Sequence, residues 1–241
     1  MQFYKYIKDY YSILQIMVVF YVINFKDDAR KERMIARFDK IGIDLHFVNP
    51  VYENDPRMQN TNLYKRTSSI MLQHLDSIRH FYENTSAKHC IICEDDIHIS
   101  KHLHEHLPKI IQDYEELGLD VLLMGYLWPY SPHGNWHFPV LKTSEHYTYH
   151  GYPDDIWGSQ MYLISRKHAE TLLKTFTIQF AIDQLEIVHY NPDWTITKWG
   201  KRAIISPMLA VEEGDDKSNH EGQTEFHRTC HMNNYNPSVH L

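Results

Sequence analysis

Short apolar runs alternate with segments of helical periodicity along this chain, and that alternation limits the folds open to it. Residues 17–23 are rich in β-branched and aromatic side chains, as is typical of a strand buried on both faces. Asp27 or Asp28 can then cap a helix that Gly42 ends, and residues 45–48 form the next apolar segment. Strand, helix and strand in this order are typical of a βαβ unit, so we expect the first two strands to be parallel.

The same alternation continues along the rest of the chain. Thr67, Ser68 or Ser69 can cap a second helix, and Ser165 can cap another that runs to about Phe176. The other patterned segments predict strands at residues 90–93, 121–124, 160–164 and 203–205 and a helix at residues 107–117. Residues 129–153 show no period and predict a long loop, and residues 213–241 predict a polar, irregular tail. We therefore expect one α/β domain over residues 1–241, with a mostly parallel sheet flanked by helices.

Composition excludes several classes of protein. The formal net charge of -7 argues against a general binder of nucleic-acid phosphates. The three cysteines show no disulfide framework, and the Cys90-x-x-Cys93 pair lies in an apolar run, which favours buried strand residues over a zinc site. Residues 1–15 lack the pattern of a signal peptide, and no apolar run approaches the roughly 20 residues of a membrane span. We expect a cytoplasmic protein in which residues 1–15 are a leader peripheral to catalysis.

Three consecutive acids follow one of the predicted core strands. The apolar run of residues 90–93 leads directly into Glu94, Asp95 and Asp96. The carboxyl ends of strands are where open α/β sheets bind their ligands. Three adjacent carboxylates repel one another unless a cation offsets their charge, and Mg²⁺ and Mn²⁺ prefer such oxygen ligands together with substrate phosphates. The triplet therefore predicts a divalent metal site for a nucleotide diphosphate, and its alternative is a solvated acidic turn.

Two other acid-based chemistries fit the triplet less well. A phosphatase of the D-x-D type needs a second Asp two positions after its nucleophile, whereas Asp95 is followed by Asp96 and Ile97. A two-metal nuclease needs further acids at helical spacing and a basic groove, and neither is evident. Nucleotide binding through a metal is thus the favoured interpretation.

Further segments occur in an order that resembles a known family. Asn24 follows the first strand, and the next helix carries Arg30 and Arg33. After the acidic triplet, residues 158–169 combine a glycine-containing strand with a Ser-Arg helix start, and Asp183 comes soon afterwards. In this order the segments resemble glycosyltransferase family 25, the lipopolysaccharide and collagen galactosyltransferase group. The resemblance covers roughly residues 18–218, and residues 66–74 match its pattern only at Leu72 and His74.

This resemblance implies a Rossmann-like sheet of the GT-A type and an inverting transfer of a hexose from a UDP-sugar, UDP-galactose or UDP-glucose, to a glycan or hydroxylysine acceptor. It implies Mn²⁺ or Mg²⁺ bound by Asp96, with Asp95 and Glu94 as further ligands or directed toward ribose or a metal-bound water. A late histidine is expected as an additional ligand, either His220 or His227. The residues expected to bind the donor are Asn24, Arg30, Arg33, Glu94, Asp95, Gly158, Ser159 and Gln160.

A direct displacement also needs a carboxylate that takes the proton of the acceptor hydroxyl. Asp183 matches the acid that the family places after its downstream block, and we expect it at a helix start facing the cleft. Asp155 and its neighbour Asp154, on the predicted loop, are the main rivals for this role. The alternative role of Asp183 is to cap a helix.

Two readings of the chain compete with an active transferase. One is a catalytically silent domain that binds nucleotide sugars. The other is a metal-dependent nucleotidyltransferase or phosphotransferase, which would share the carboxylates, but this sequence lacks the glycine-rich phosphate loop of that class.

His102 and His106 stand at i, i+4 spacing, which suits zinc, but a surface helix is the favoured interpretation. The aromatic residues that could stack on an acceptor sugar are Trp128, Tyr130, Trp136 and Trp157.

Overall fold

The computed structural model describes residues 17–130, 138–184, 190–214 and 223–241. The helices are α1 (Asp28–Asp39), α2 (Lys65–Asn84), α3 (Leu103–Leu117), α4 (Arg166–Thr175), α5 (Ile178–Asp183) and α6 (Gln223–Asn234). The strands are β1 (Val18–Ile23), β2 (Leu45–Phe47), β3 (His89–Glu94), β4 (Ile97–Ile99), β5 (Val121–Leu127), β6 (Val140–Thr143), β7 (Thr148–His150), β8 (Trp157–Ser165), β9 (Arg202–Ser206) and β10 (Ala210–Glu212). The predicted leader, residues 1–15, lies outside the described residues.

The strands form one large sheet in the order β2-β1-β3-β8-β5-β9-β7-β6. Strands β1, β2 and β3 are parallel, as are β5 and β9, whereas β8 runs antiparallel between β3 and β5. The β6–β7 hairpin closes one edge, with β7 antiparallel to β9. Six of these eight strands therefore point in one direction, which confirms the predicted mostly parallel sheet with parallel β1 and β2.

Helices cover both faces of the sheet because its central strands are apolar on both sides. In β1, Tyr21 belongs to one buried cluster and Val22 to the other, as the alternation of side chains along a strand requires. The cluster around Tyr21 includes residues of α2 and α4, such as Ile78 and Leu172. The opposite cluster includes residues of α1 and α3, such as Phe38. The result is a three-layer α/β/α arrangement.

Three helix starts test the predicted caps. Asp27 caps α1, and its side chain accepts a hydrogen bond from the backbone N–H of Arg30. Ser165 likewise caps α4. The predicted cap of α2 is wrong, because the helix begins at Lys65. Ser68 and Ser69 lie buried inside its first turns, where the Ser69 hydroxyl donates to the backbone of the preceding turn.

Two segments predicted to be irregular contain regular structure. The predicted loop at residues 129–153 contains the β6–β7 hairpin. The sequence pattern does not predict this hairpin, because β6 lies at the sheet edge with its side chains mostly exposed. The predicted irregular tail at residues 213–241 contains α6, a helix in which only Cys230 is buried. Strand β6 and helix α6 show no apolar periodicity, because few of their side chains are buried.

A second, two-stranded sheet lies beyond the acidic triplet. Strand β4 pairs antiparallel with β10, and the backbone N–H of Glu213 donates to the Asp96 carbonyl at 2.7 Å. This pairing fixes the backbone on the carboxyl side of the triplet. Among the described helices, none combines the length and apolar character needed to cross a membrane.

Candidate active site

A cleft of about 570 Å³ opens at the carboxyl ends of β1 and β3, a volume within the roughly 300–1,000 Å³ range of small-molecule sites. Because β1 and β3 are parallel with Ile23 opposite Glu94, the residues that follow them, Asn24 and Asp95, meet at the same edge. The Asn24 amide donates to Asp95 Oδ2 at 2.6 Å. The register of two strands thus brings together the polar residues that the sequence separates.

Arg30 links the first turn of α1 to the acidic triplet. Its Nη1 lies 3.3 Å from Asp95 Oδ1 and 3.3 Å from Asp96 Oδ2. The cap at Asp27 fixes this turn, and Arg30 Nε lies 3.5 Å from the Asp27 carboxylate. The predicted donor-site residue Arg30 therefore lies in the cleft and directly contacts two of the predicted metal ligands.

The three carboxylates of the triplet do not converge on one point. Asp95 and Asp96, both buried, share Arg30, whereas Glu94 Oε1 accepts a hydrogen bond from the Ser159 hydroxyl of β8 at 2.7 Å. Glu94 is thereby directed to the neighbouring strand. The two carboxylates that lie close to the same guanidinium are therefore those of Asp95 and Asp96.

The electrostatics of this pair favour a cation. Burial raises the pKa of Asp95 above its ordinary value, and the charge of Asp96 raises it further, against the opposing effects of the Asn24 hydrogen bond and Arg30. Arg30 contacts both carboxylates of this pair. Mg²⁺ and Mn²⁺ are commonly held by one or two carboxylates and completed by substrate phosphates. The oxygen donors of Asp95 and Asp96 fit that requirement.

The amino-terminal part of α2 also lines the cleft. Arg66, Thr67, Ser69 and Gln73 line it, and Gln73 donates to the Asn24 carbonyl at 2.8 Å. The cap residue of this helix, Tyr64, provides no side-chain hydrogen bond. The amino end of a helix carries partial positive charge and attracts anions, and Arg66 adds a full charge. The cleft lining thus combines the acidic triplet with the amino end of α2 and Arg66, although the family pattern in residues 66–74 is sparse.

Asp193 is a cleft residue that the sequence interpretation missed. It lines the cleft, and its Oδ1 accepts a hydrogen bond from the backbone N–H of Gly158 at 3.1 Å. Gly158 has a φ of 134°, and a Cβ there would lie 2.6 Å from the Tyr126 Cα. The Asn191-Pro192 dipeptide, a turn signal, was the only local indication of a loop at this point.

The two carboxylates predicted to act as the base lie elsewhere. Asp183 is the exposed last residue of α5 and accepts a hydrogen bond from Gln179, so its predicted position at a helix start facing the cleft is wrong. The hydroxyl of Thr177 caps that helix instead. Asp155 is exposed before β8, and neither it nor Asp183 lines the cleft.

Some of the remaining predicted donor and metal residues line the cleft, and others make contacts elsewhere. Ser159 lines the cleft, whereas Gln160, the next residue of β8, is buried and does not line the cleft. Arg33 contacts Glu213 at 3.3 Å. His227 Nδ1 lies 2.5 Å from Glu212 Oε2 and so contacts β10. His220 lies outside the part of the chain that the structure describes.

The aromatic residues predicted to stack on an acceptor sugar lie in different places. Trp128 packs against Tyr130 and Phe138, and Trp136 falls outside the described segments. Trp157 packs edge-on against Trp194, with ring centroids 4.9 Å apart. This pair flanks the Asp193–Gly158 contact, because Trp157 precedes Gly158 and Trp194 follows Asp193. The two tryptophans are thus the sequence neighbours of the two residues in that contact, and neither lines the cleft.

Comparisons with known proteins bear on the family of the chain and on its fold. The model of glycosyltransferase family 25, described as an LPS biosynthesis protein family, matches residues 17–186, more than half of the chain. No curated protein sequence matches significantly. A solved glycosyltransferase involved in the glycosylation of the major capsid of PBCV-1 is similar in fold, with 9% identity, a TM-score of 0.50, and coverage of 90% of this chain and 99% of that one. The A197 protein from STIV is similar at 13% identity and a TM-score of 0.43, over 81% of this chain and 85% of that one.

Proposed function

The chain belongs to glycosyltransferase family 25 and is a glycosyltransferase, and from this premise we propose that it transfers a hexose from a UDP-sugar to a glycan hydroxyl in an inverting, metal-dependent reaction. The observation that carries the proposal is the pairing of Asp95 and Asp96 in a cleft that the amino end of α2 also lines. A pair of carboxylates and an anion-attracting helix end in one cleft suit a metal diphosphate and suit few neutral ligands.

Asp96 and Asp95 are the residues that would hold Mn²⁺ or Mg²⁺. When bound, such an ion supplies charge neutralisation for the diphosphate leaving group. Arg66 and the amino end of α2 also line the cleft, and they would stabilise the same developing charge. Glu94 orients Ser159 through their hydrogen bond, and Asn24 orients Asp95.

The nucleoside end of the donor has a candidate platform at the mouth of the cleft. Phe25 lines the cleft with about half of its surface exposed and packs edge-on against Tyr52, with centroids 5.3 Å apart. The Lys26 ammonium lies 4.6 Å from the Tyr52 ring centroid and braces it. We assign the face of Phe25 to the uracil ring, because flat aromatic faces stack on bases.

Asp193 is assigned the role of general base in place of Asp183 or Asp155, because it lines the cleft and they do not. Its carboxylate takes the proton of the acceptor hydroxyl while the hydroxyl oxygen attacks the anomeric carbon. The bond from that carbon to the phosphate oxygen breaks, and UDP leaves on the opposite face. The Gly158 N–H holds one oxygen of Asp193 during this transfer.

The acceptor side favours a sugar over a hydroxylysine side chain. The Trp157–Trp194 pair lies directly beside Asp193, and Trp157 exposes about two-fifths of its surface. Broad aromatic faces match the apolar face of a pyranose ring better than a flexible aliphatic chain. We therefore propose a glycan acceptor.

A donor panel tests the proposed function. The full chain is incubated with UDP- and GDP-sugars in the presence of Mn²⁺ or Mg²⁺, and release of nucleoside diphosphate is measured with and without simple glycosides. We expect release from UDP-galactose or UDP-glucose that the glycosides accelerate. Binding of a UDP-sugar without any release would instead indicate a silent binding domain. Release of sugar 1-phosphate would indicate a nucleotidyltransferase, and release of nucleoside monophosphate would indicate a phosphotransferase.

A further inference from the structure

A group of histidine and glutamate side chains lies at the start of α3, outside the cleft. His102, Glu105 and His106 each offer one ligand atom, and these atoms lie within 4.8 Å of one another. His102 and His106 are one helical turn apart, and Glu105 lies between them on the same face. None of the three lines the cleft described above.

Contacts around His106 fix the orientation of its ring. Its Nδ1 lies 2.8 Å from the Tyr147 hydroxyl, which leaves Nε2 as the ligand atom. His146 stacks on the same ring with centroids 4.2 Å apart and an interplanar angle of 10°. Metal-binding histidines commonly have their second ring nitrogen held by such a partner, which sets the tautomer and orientation. Tyr147 and His146 belong to the β6–β7 hairpin region, so two elements meet at this group.

The other two side chains can adjust to an ion. His102 and Glu105 are more than half exposed, with His102 Nδ1 3.4 Å from Glu105 Oε2. Zinc lies roughly 2.0–2.2 Å from nitrogen and carboxylate oxygen ligands, so the three ligand atoms have to approach one another by about 1 Å. Rotamer changes in exposed side chains allow that movement at small cost.

The charge balance sets the expected strength of the site. The amino end of α3 carries partial positive charge, which disfavours a cation, and the Glu105 carboxylate offsets it. Two imidazoles and one carboxylate suit Zn²⁺ and other late transition ions, whereas the all-oxygen pair in the cleft suits Mg²⁺ or Mn²⁺. The two sites therefore differ in the metal they select.

We propose that His102, Glu105 and His106 form a zinc-class metal site separate from the catalytic cleft. Water completes the coordination. Because Tyr147 and His146 contact His106, an ion here fastens the first turn of α3 to the β6–β7 hairpin and stabilises the folded protein.

The test compares variants, because the chain contains 18 histidines that give background binding. Zn²⁺ binding to the full chain is measured by calorimetry, and the melting temperature is measured with and without Zn²⁺. His102→Ala and Glu105→Gln change exposed ligands, and His104→Ala changes a histidine of the same helix outside the group. We expect His102→Ala to weaken the tightest site by about a hundredfold and Glu105→Gln by about tenfold, with His104→Ala unchanged.

Further readouts separate the site from its surroundings and from catalysis. The rise in melting temperature with Zn²⁺ should disappear in His102→Ala, and Tyr147→Phe should weaken binding about tenfold through the lost hydrogen bond. Nucleoside-diphosphate release with Mn²⁺ should be the same in His102→Ala as in the unmodified chain, so a failure of the proposed activity leaves this test intact. Zn²⁺ affinity and thermal shift that His102→Ala leaves unchanged, or that His104→Ala lowers equally, would overturn the proposal.

Discussion

At the scale of single residues, the cleft depends on carboxylates placed in different surroundings. Asp95 and Asp96 are buried and share one guanidinium, Glu94 is held by Ser159, and Asp193 is held by a backbone N–H. We therefore propose different roles for these chemically identical groups, since a buried pair of carboxylates favours a cation while a carboxylate that lines the cleft can accept a proton.

Exchange of single carboxylates for amides tests the assignment of the base. Asp193→Asn retains an oxygen for the Gly158 N–H but removes the proton acceptor, so we expect the transfer rate to fall by roughly a hundredfold or more with donor affinity unchanged. Asp183→Asn, on the exposed end of α5, is the matched control and should transfer at nearly the normal rate. Steady-state kinetics with a saturating donor measure both. The opposite ranking of these two variants would return the role to Asp183.

Substitution of Gly158 tests whether the backbone beside Asp193 requires a conformation that favours glycine. Its φ of 134° is costly for other residues, and a Cβ would lie 2.1 Å from Gln160 Oε1 and 2.6 Å from the Tyr126 Cα. We expect Gly158→Ala to lower the free energy of unfolding by about 1–3 kcal/mol and to reduce the transfer rate by displacing Asp193. Denaturant unfolding measures the first effect. Gly151→Ala is the control, since its Cβ would meet only side-chain atoms, of Pro139 at 3.3 Å and of Leu141 at 3.8 Å. A larger loss there would contradict this account.

At the scale of elements, a buried acid ties α3 to the β6–β7 hairpin. Asp113 is fully buried and accepts hydrogen bonds from Lys109, Lys142, Ser144 and Tyr149. Burial opposes ionisation of Asp113, but these hydrogen bonds outweigh it and lower its pKa to about 2. Ionised Asp113 therefore stabilises the attachment of the edge hairpin.

The pH dependence of this tie follows from the lowered pKa. The stabilisation is fully present above the ordinary pKa of 3.8 and is lost as the pH falls through about 2. We expect Asp113→Asn to melt at a lower temperature than the unmodified chain at pH 7, with the difference shrinking between pH 4 and pH 2. Melting curves followed by circular dichroism across this range provide the measurement.

A surface ion pair serves as the control for the Asp113 experiment. Asp154 contacts Arg202 while its own side chain is largely exposed, and exposed pairs contribute little to stability. Asp154→Asn should therefore melt close to the unmodified chain at every pH. A melting-temperature difference for Asp113→Asn that stays constant down to pH 2 would show that the carboxylate charge is not what holds the hairpin.

The elements with two covered faces could be predicted from the sequence. The runs that form β1, β3 and β5 are apolar because both their faces are buried, and the Asp27 and Ser165 caps are local signals. Strand β6 and helix α6 could not be predicted, because their mostly exposed side chains carry no apolar period. Apolar periodicity in a sequence reflects the burial of side chains, and few side chains of these two elements are buried.

At the scale of the whole molecule, the cleft combines parts that are far apart in the chain. The acidic triplet could be predicted because a strand end and its carboxylates are contiguous, and the parallel register of β1 and β3 follows from the βαβ pattern. Asp193 could not be predicted, because its partner Gly158 is 35 residues away and their contact depends on the path of β8 through the sheet. Asp183 matched the family order in sequence but lies outside the cleft.

The central claim is that Asp96 acts through a divalent ion during sugar transfer. The direct measurement is the rate of UDP release with Mn²⁺ and with EDTA, for the unmodified chain, Asp96→Asn and the exposed control Asp155→Asn. We expect EDTA to abolish release, Asp96→Asn to lower it on the order of a thousandfold without changing the circular dichroism spectrum, and Asp155→Asn to leave it unchanged. Release that continues at the full rate in EDTA, or an Asp96→Asn variant as active as the control, would contradict the account.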